Sequence, residues 1–122
     1  MIPLYMDYYG AKMPAEFEFY KIKPGEYRYR LIGGNGDVIL SSDVYTSKLG
    51  CTKAIESVRN NASNPDNYVK EPTPNGTHQF NLISLNGRVI GMSQEYETIA
   101  EYNRGIVNVS RQARSAIIND KC

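Results

Sequence analysis

The stretch that decides the fold runs from residue 29 to residue 62 and reads YRLIGGNGDVILSSDVYTSKLGCTKAIESVRNNA. The chain repeats this stretch 51 residues later, without a gap, as FNLISLNGRVIGMSQEYETIAEYNRGIVNVSRQA over residues 80–113. Eleven of the 34 aligned pairs are identical, and they fall on turn, strand, cap and core positions. This pattern is typical of one supersecondary unit that is used twice.

Two alternating segments at the start of the first unit predict a β-hairpin. The segments are EFEFYKI and EYRYRLI, and they flank a turn at Pro24-Gly25. With one extra residue in the loop, Phe19 lies opposite Tyr29 and Glu18 lies opposite Arg30. We expect this register because it pairs aromatic rings with each other and opposite charges with each other. One face would then carry Phe17, Phe19, Tyr27, Tyr29 and Leu31, and the other Glu16, Glu18, Tyr20, Arg28 and Arg30.

Each unit continues with a tight turn, a short strand and a helix. Asn35-Gly36 and its repeat Asn86-Gly87 predict hairpin turns. Thr46 or Ser47 is expected to cap the first helix. The second helix is expected from about Glu95 to Ile117. Helical spacing predicts core stripes of Cys51, Ile55, Val58 and Ala62 in the first helix, and of Ile99, Tyr102, Ile106, Val109 and Ala113 in the second.

This order of elements predicts an α+β fold, with an antiparallel sheet and helices on one face, built from two tandem β-β-β-α repeats. We expect a single domain over residues 1–122. It would comprise an N-terminal arm at 1–14, repeat 1 at 15–63, a linker at 64–77 and repeat 2 at 78–118. The linker would hold a short extended piece at Tyr68-Val69.

Composition excludes several classes of function. The net charge of +1 gives no field that would attract nucleic acid or a membrane surface. The N-terminus has no basic region followed by an apolar run, so we expect no signal peptide, no membrane span and a cytoplasmic location. Of the two cysteines, Cys51 falls on the core stripe and Cys122 is the last residue. The sequence permits a disulfide between them but gives no reason for one, and a reducing cytoplasm is the favoured interpretation.

The catalytic inventory is small. His78 is the only histidine, and no base is spaced to activate Ser41, Ser42, Ser47 or Ser57. No cluster of Cys, His and Asp has the spacing of a metal site. The glycine-rich turn precedes a strand, whereas a phosphate-binding loop precedes a helix. We therefore expect no enzymatic activity, no cofactor and no metal.

The first repeat resembles that of the YegP-like family of small bacterial proteins. The resemblance lies in the asparagine-glycine turn, the helix start Tyr45-Thr46-Ser47-Lys48, the segment Ile55-Glu56-Ser57-Val58 and the helix end Asn61-Ala62. The second repeat lacks the Thr-Ser-Lys sequence. The resemblance implies two β-rich repeats that share one sheet, with helices packed on it and strands exchanged between repeats. That family has no established activity, so the resemblance implies a fold without a function.

The chain is also similar, in overall character, to the Thoeris anti-defence proteins of phages. That resemblance implies a non-enzymatic sponge, which sequesters a cyclic ADP-ribose-type nucleotide signal and so blocks TIR-based immunity, in the host cytoplasm if the protein is phage-encoded. The alternative is a YegP-like structural or interaction protein with no small-molecule ligand.

Arginines are the residues that would hold such a ligand, because a guanidinium pairs bidentately with phosphate oxygens and an aromatic ring stacks on a base. Arg111 is foremost, since no acidic residue lies three or four positions from it. The competing explanation for each arginine is that it is solvated on a helix or strand face, or paired with Glu16, Glu18 or Glu56. The residues predicted to bind the ligand are Arg28, Arg59, Phe80, Arg104, Asn108 and Arg111. The apolar arm and the long second helix further predict a homo-oligomer, a dimer or higher.

Overall fold

The structure is a computed structural model that describes residues 14–122. The N-terminal arm predicted at 1–14 therefore lies, except for its last residue, outside the described residues. In chain order the elements are β1 (Glu16–Lys23), β2 (Glu26–Ile32), β3 (Val38–Ser41), α1 (Lys48–Asn61), a 3-10 turn (Pro65–Asn67), β4 (Tyr68–Glu71), β5 (Gln79–Ile83), β6 (Val89–Met92), α2 (Ile99–Ser115) and β7 (Ile117–Asp120).

The seven strands form one sheet in the order β4-β5-β6-β3-β2-β1-β7. Neighbouring strands are antiparallel except β1 and β7, which are parallel. The two helices lie side by side on one face of the sheet, which we call the closed face; the other is the open face. This architecture confirms the predicted α+β fold. Within residues 14–122, neither helix is long and apolar enough to cross a membrane.

The two repeats meet at the centre of the sheet, where β3 pairs with β6. The paired residues are Ser41 and Met92, which are themselves 51 positions apart. The repeats are thus related by an approximate twofold axis through this pair. β7, at the end of the second repeat, pairs with β1 of the first. A strand at the end of the second repeat is thus added to the first, which is one direction of the exchange that the family resemblance implied.

The predicted register of the first hairpin is confirmed. Phe19 lies opposite Tyr29, and Glu18 lies opposite Arg30. Arg30 Nε donates a hydrogen bond of 2.7 Å to Glu18 Oε1. The extra residue appears as an irregularity between Lys21 and Lys23.

Two buried serines make equivalent hydrogen bonds in the two repeats. Ser42 Oγ accepts a bond of 2.9 Å from Tyr29 N and donates one of 2.7 Å to the Asp43 carbonyl. Ser93 Oγ accepts from Phe80 N at 3.0 Å and donates to the carbonyl of residue 94 at 2.7 Å. Each serine thus ties the strand before the turn to the chain that leaves the strand after it.

Helix α1 forms as the sequence predicts. Ser47 is its N-cap, and the side-chain oxygen accepts a hydrogen bond of 2.9 Å from Gly50 N. All four residues of the predicted core stripe, Cys51, Ile55, Val58 and Ala62, are fully buried.

Helix α2 differs from the prediction at both ends. It begins at Ile99, because Thr98 caps it in a reciprocal pair of hydrogen bonds with Glu101. It ends at Ser115, since the chain then turns into β7, a strand that the sequence analysis did not anticipate. Ile99 is 49% exposed and is not a core residue, while Ile106 is only partly buried.

The predicted linker at 64–77 contains ordered structure. A 3-10 turn is followed by β4, whose first two residues are the extended piece predicted at Tyr68-Val69. β4 and β7 are the two edge strands of the sheet.

The core contains a close approach between the two repeats. A Cβ atom added to Gly91 would lie 2.6 Å from Leu40 Cδ2 and 2.9 Å from the Tyr29 hydroxyl. Leu40 and Gly91 occupy equivalent positions of the two repeats, so a large residue of one repeat fills the space that a glycine leaves in the other.

Candidate functional site

Arg28 lies on the open face of the sheet. Its Nε and Nη2 donate hydrogen bonds of 3.1 and 3.0 Å to the Ser42 carbonyl. The guanidinium therefore holds the chain that leaves β3. The sheet separates Arg28 from the two helices. Within one chain, Arg28 therefore cannot contact the same ligand as the outward face of α2.

Arg59 connects the two helices. Its Nη2 donates to the carbonyl of Ala116, just after α2, and its guanidinium carbon lies 5.6 Å from the centre of the Phe17 ring. Arg59 Nη1 also lies 3.7 Å from Glu56 Oε2. These contacts with the protein give Arg59 a clear structural role.

Phe80 lies in the core and has no exposed surface. Its ring packs edge-on against Tyr68 and Tyr102, with centroid distances of 5.3 and 5.8 Å, and parallel to Tyr96 at 6.5 Å. The expectation that a base stacks on Phe80 is therefore corrected, because both faces of the ring are covered by protein.

Arg104, Asn108 and Arg111 do share one face of α2, as the helical spacing predicts. Both arginines are exposed and Asn108 is partly buried. No ion pair of Arg104 or Arg111 occurs within residues 14–122. The six predicted residues thus lie in separate parts of the fold, and only these three are neighbours.

A groove beside α1 has a volume of about 1060 Å³ and is a large concave surface of the described residues. We call it the α1 groove. It is lined by residues 43–46, by one side of α1 from Gly50 to Asn61, by Asn64 and Asn67, and by residues 84–86 and 88–90 around the β5–β6 turn. A second concave surface, of about 540 Å³, lies nearer the approximate twofold axis. Its lining includes Ser41 and Met92.

The α1 groove carries charges of both signs. Lys53 and Arg88 supply the cations, and Asp43 and Glu56 supply the anions. Burial raises the pKa of the Tyr45 phenol, while the nearby Arg88 guanidinium lowers it by a smaller amount. Tyr45 therefore remains a neutral hydrogen-bonding group in the groove at neutral pH.

The α1 groove is also lined by amides and by exposed apolar side chains. Leu85 is 92% exposed, and Val44 and Val89 are each 46% exposed. Asn60 on α1 and Asn86 in the β5–β6 turn are likewise exposed. Exposed apolar groups beside hydrogen-bonding groups are typical of surfaces that bind other molecules.

The repeat relationship connects this groove with the sequence prediction. Lys53, Ser57 and Asn60 of the groove are the repeat equivalents of Arg104, Asn108 and Arg111. The equivalent space beside α2 is bridged, since Gln112 Oε1 accepts a hydrogen bond of 2.8 Å from Gly34 N. Tyr96 lies against α2 there, and a Cβ on Gly105 would collide with its hydroxyl group.

The sequence analysis did not predict the α1 groove, because it considered arginines and aromatic rings as ligand-binding residues and not side-chain amides. The substitutions Gln112 for Asn61 and Gly105 for Ala54 are visible once the repeats are aligned. The effect of these substitutions on the space beside α2 depends on the hydrogen bond between Gln112 and Gly34, which is known only from the structure.

The described residues contain little that resembles a catalytic centre. Within residues 14–122, no group of three or more His, Cys, Asp and Glu residues could hold a metal ion. Burial raises the pKa of the Cys51 thiol to about 11, which keeps it protonated and unreactive at neutral pH. The backbone of His78 forms hydrogen bonds of 2.8 and 2.7 Å with the backbone of Tyr96.

Comparison with known proteins places the chain in a family. The model of a domain of unknown function, DUF1508, matches twice, over residues 23–68 and 74–120. The chain belongs to the DUF1508 family. The two matches agree with the two structural repeats.

Relatives of this DUF1508 protein extend over nearly the whole chain. The UPF0339 protein YegP of Escherichia coli K12 is 38% identical over 108 residues, which cover 88% of this chain and 98% of YegP. A UPF0339 protein of Shewanella oneidensis is 36% identical over 108 residues, which cover 88% of this chain and 98% of that protein.

Solved structures show the same fold. The solution NMR structure of E. coli YegP, described as a protein of unknown function, has a TM-score of 0.83 and covers 92% of this chain and 97% of its own. The solution NMR structure of a UPF0339 protein of S. oneidensis has a TM-score of 0.82 and covers 88% of this chain and 92% of its own.

Proposed function

We propose that this DUF1508 protein is a non-enzymatic interaction protein, and that a peptide segment of its partner binds in the α1 groove. The observation that carries this proposal is the lining of the groove. A volume of about 1060 Å³ is bordered by exposed apolar side chains, side-chain amides and charges of both signs.

Such a lining suits a peptide better than a single small anion. Leu85 and Val44 offer contacts for apolar side chains, while Asn60 and Asn86 offer hydrogen bonds to backbone groups. Because Lys53 and Arg88 are balanced by Asp43 and Glu56, the groove does not select a strongly charged ligand. Peptide segments commonly bind in surface grooves that combine apolar contacts with hydrogen bonds to the backbone.

Selection of peptides from a displayed random library, followed by calorimetric titration, tests this proposal. We expect selected peptides to bind the wild type and to lose at least tenfold in affinity to Leu85→Asp and Lys53→Glu. The matched control is Arg104→Glu, the same charge reversal at the equivalent position of α2, which should bind as the wild type does. Selection of no peptide, or equal binding to all four proteins, would contradict the proposal.

The second candidate function is sequestration of a cyclic ADP-ribose-type nucleotide. It is favoured by the face of α2 that carries Arg104, Asn108 and Arg111, where guanidinium groups could pair with a diphosphate. A sponge that holds a trace signal needs nanomolar affinity, on the order of −12 kcal/mol. The resemblance to phage anti-defence proteins is its other support.

Calorimetric titration with cyclic ADP-ribose isomers tests this second function. Arg111→Ala should weaken binding at least tenfold and leave the melting temperature near that of wild type, because Arg111 is exposed. Asn60→Ala, at the repeat-equivalent position, is the control. The ligand released by heating should be chemically intact by mass spectrometry. A hydrolysed product would indicate an enzyme, and no heat with any isomer would remove the nucleotide candidate.

A further inference from the structure

On the α2 side of the molecule, a hydrogen bond closes the space that is equivalent to the α1 groove. Gln112 Oε1, from α2, accepts a hydrogen bond of 2.8 Å from the backbone N–H of Gly34 in the β2–β3 turn. A Cβ on Gly33 would lie only 3.3 Å from the same oxygen, so the absence of a side chain there gives the carboxamide room. A neutral side-chain oxygen thus satisfies the turn and closes the space beside α2.

The equivalent turn on the α1 side lacks this bond. Leu85 replaces Gly34, and its backbone N–H has no acceptor within residues 14–122. Asn61 replaces Gln112 and is one methylene shorter. Its Nδ2 donates instead to the Ser57 carbonyl at 2.7 Å, and its Oδ1 accepts from Asn67 Nδ2 at 3.3 Å. The N–H of the turn therefore remains available at the edge of the α1 groove.

We propose that the backbone N–H of Leu85 is a recognition donor of the α1 groove, and that it binds a neutral carbonyl or carboxamide oxygen of the ligand. Gln112 shows the chemistry that satisfies this turn. In the partner peptide, the matching group is the side chain of a glutamine or asparagine. This inference rests on the proposed function for the identity of the partner, but the donor itself can be tested without the partner.

The surroundings of the donor favour a neutral oxygen over a carboxylate. Lys53 and Arg88 are offset by Asp43 and Glu56 in the same groove. A carboxylate would therefore gain little from the net field of the groove and would lose part of its stronger hydration where it contacts the donor. A carboxamide makes the same hydrogen bond with a smaller loss of hydration.

Titration of the ¹⁵N-labelled protein with propionamide, followed by amide chemical shifts, tests the inference with a defined probe. We expect a saturable shift of the Leu85 cross-peak in the wild type that exceeds the shifts of exposed amides outside the groove. Propionate at equal concentration should shift it less. No selective response of Leu85, or a stronger response to propionate, would overturn the inference.

The repeats provide matched variants for the same titration. Asn61→Gln combined with Ser84→Gly rebuilds the α2 arrangement beside α1, because Ser84 is the equivalent of Gly33. This variant should lose the Leu85 response. Gln112→Ala should make the Gly34 amide respond to propionamide, while leaving the Leu85 response intact. The unchanged cross-peaks elsewhere verify that each variant is folded, and an unaltered Leu85 response in the rebuilt variant would contradict the inference.

The outcomes separate this inference from the proposed function. If Leu85 responds to propionamide but no peptide is selected, the donor is established and the peptide function fails. If selected peptides bind the Asn61→Gln/Ser84→Gly variant as tightly as the wild type, they do not use Leu85 and the inference fails alone.

Discussion

Lys48 Nζ lies 2.7 Å from Asp120 Oδ2, and this ion pair joins the first residue of α1 to the last residue of β7. It therefore connects the helix of the first repeat with the strand that ends the second. The pair lies on the side of β1 where β7 completes the sheet.

The Lys48–Asp120 pair predicts a pH-dependent contribution to stability. Its hydrogen bond to Lys48 lowers the pKa of Asp120 below the ordinary 3.8, so the contribution of this carboxylate exists above that pH and is lost as the pH falls through the folded pKa. The same bond raises the pKa of Lys48 above 10.5, so its contribution is lost only as the pH rises through that higher value. Asp120→Asn should have a lower urea midpoint than wild type at pH 7. This small difference should vanish at the acid end and in high salt, and its persistence there would contradict an ion pair.

The two buried serines predict equal and additive losses of stability. Ser42→Ala and Ser93→Ala each leave a buried backbone N–H without its acceptor, which costs about 1–3 kcal/mol. Both serines follow the Ser41–Met92 pair, but they share no hydrogen-bond partner, so the free energies of unfolding should be close to additive in the double variant. Urea denaturation provides the measurement, and unaltered midpoints would show that other groups satisfy the two N–H donors.

The helix cores predict an order of stabilities. Ile55 has no exposed surface, so Ile55→Ala should lower the free energy of unfolding by about 2–5 kcal/mol. Helical spacing also predicts a core position for Ile106, but Ile106 is only partly buried, so Ile106→Ala should cost less. Equal urea midpoints for the two variants would contradict this difference in burial.

The contact between Leu40 and Gly91 predicts a compensating pair of substitutions. Gly91→Ala places a methyl group 2.6 Å from Leu40 Cδ2 and should destabilise the protein by about 1–3 kcal/mol through overpacking. Leu40→Val in the same chain removes a methylene and should recover part of that loss. A double variant no more stable than Gly91→Ala alone would show that the strain lies elsewhere, for example against the Tyr29 hydroxyl.

The expected homo-oligomer remains a prediction and has a specific candidate surface. β7 is an edge strand, and its residues Ile117 and Ile118 are 52% and 45% exposed. Light scattering should give a multiple of the 13.8 kDa chain mass, and Ile117→Lys with Ile118→Lys should reduce it to the mass of one chain. A wild-type mass of 13.8 kDa at micromolar concentration would contradict the prediction.

Most of the fold could be predicted from the sequence because short-range chemistry specifies it. The alternation of Phe17, Phe19, Tyr29 and Leu31 fixed both the buried face and the hairpin register. β7 was not predicted because Ile117 and Ile118 continue the apolar pattern of the helix. They form a strand because they pair with the edge of β1 that β2 leaves free.

The candidate site was far less predictable. Arg59 and Phe80 have the chemistry of ligand-binding residues, yet their burial and their protein contacts depend on long-range packing. The groove depends on Asn61 bonding to its own helix instead of reaching the turn, a choice that its sequence neighbours do not reveal.

The pairing of Ser41 with Met92 places the two halves of the chain as two molecules of a symmetric dimer would be placed. Because both halves belong to one chain, a residue of one half can differ from its counterpart in the other. In this view the exchange of Asn61 for Gln112 is the kind of specialisation that identical subunits cannot acquire, because every change in one of them appears in both.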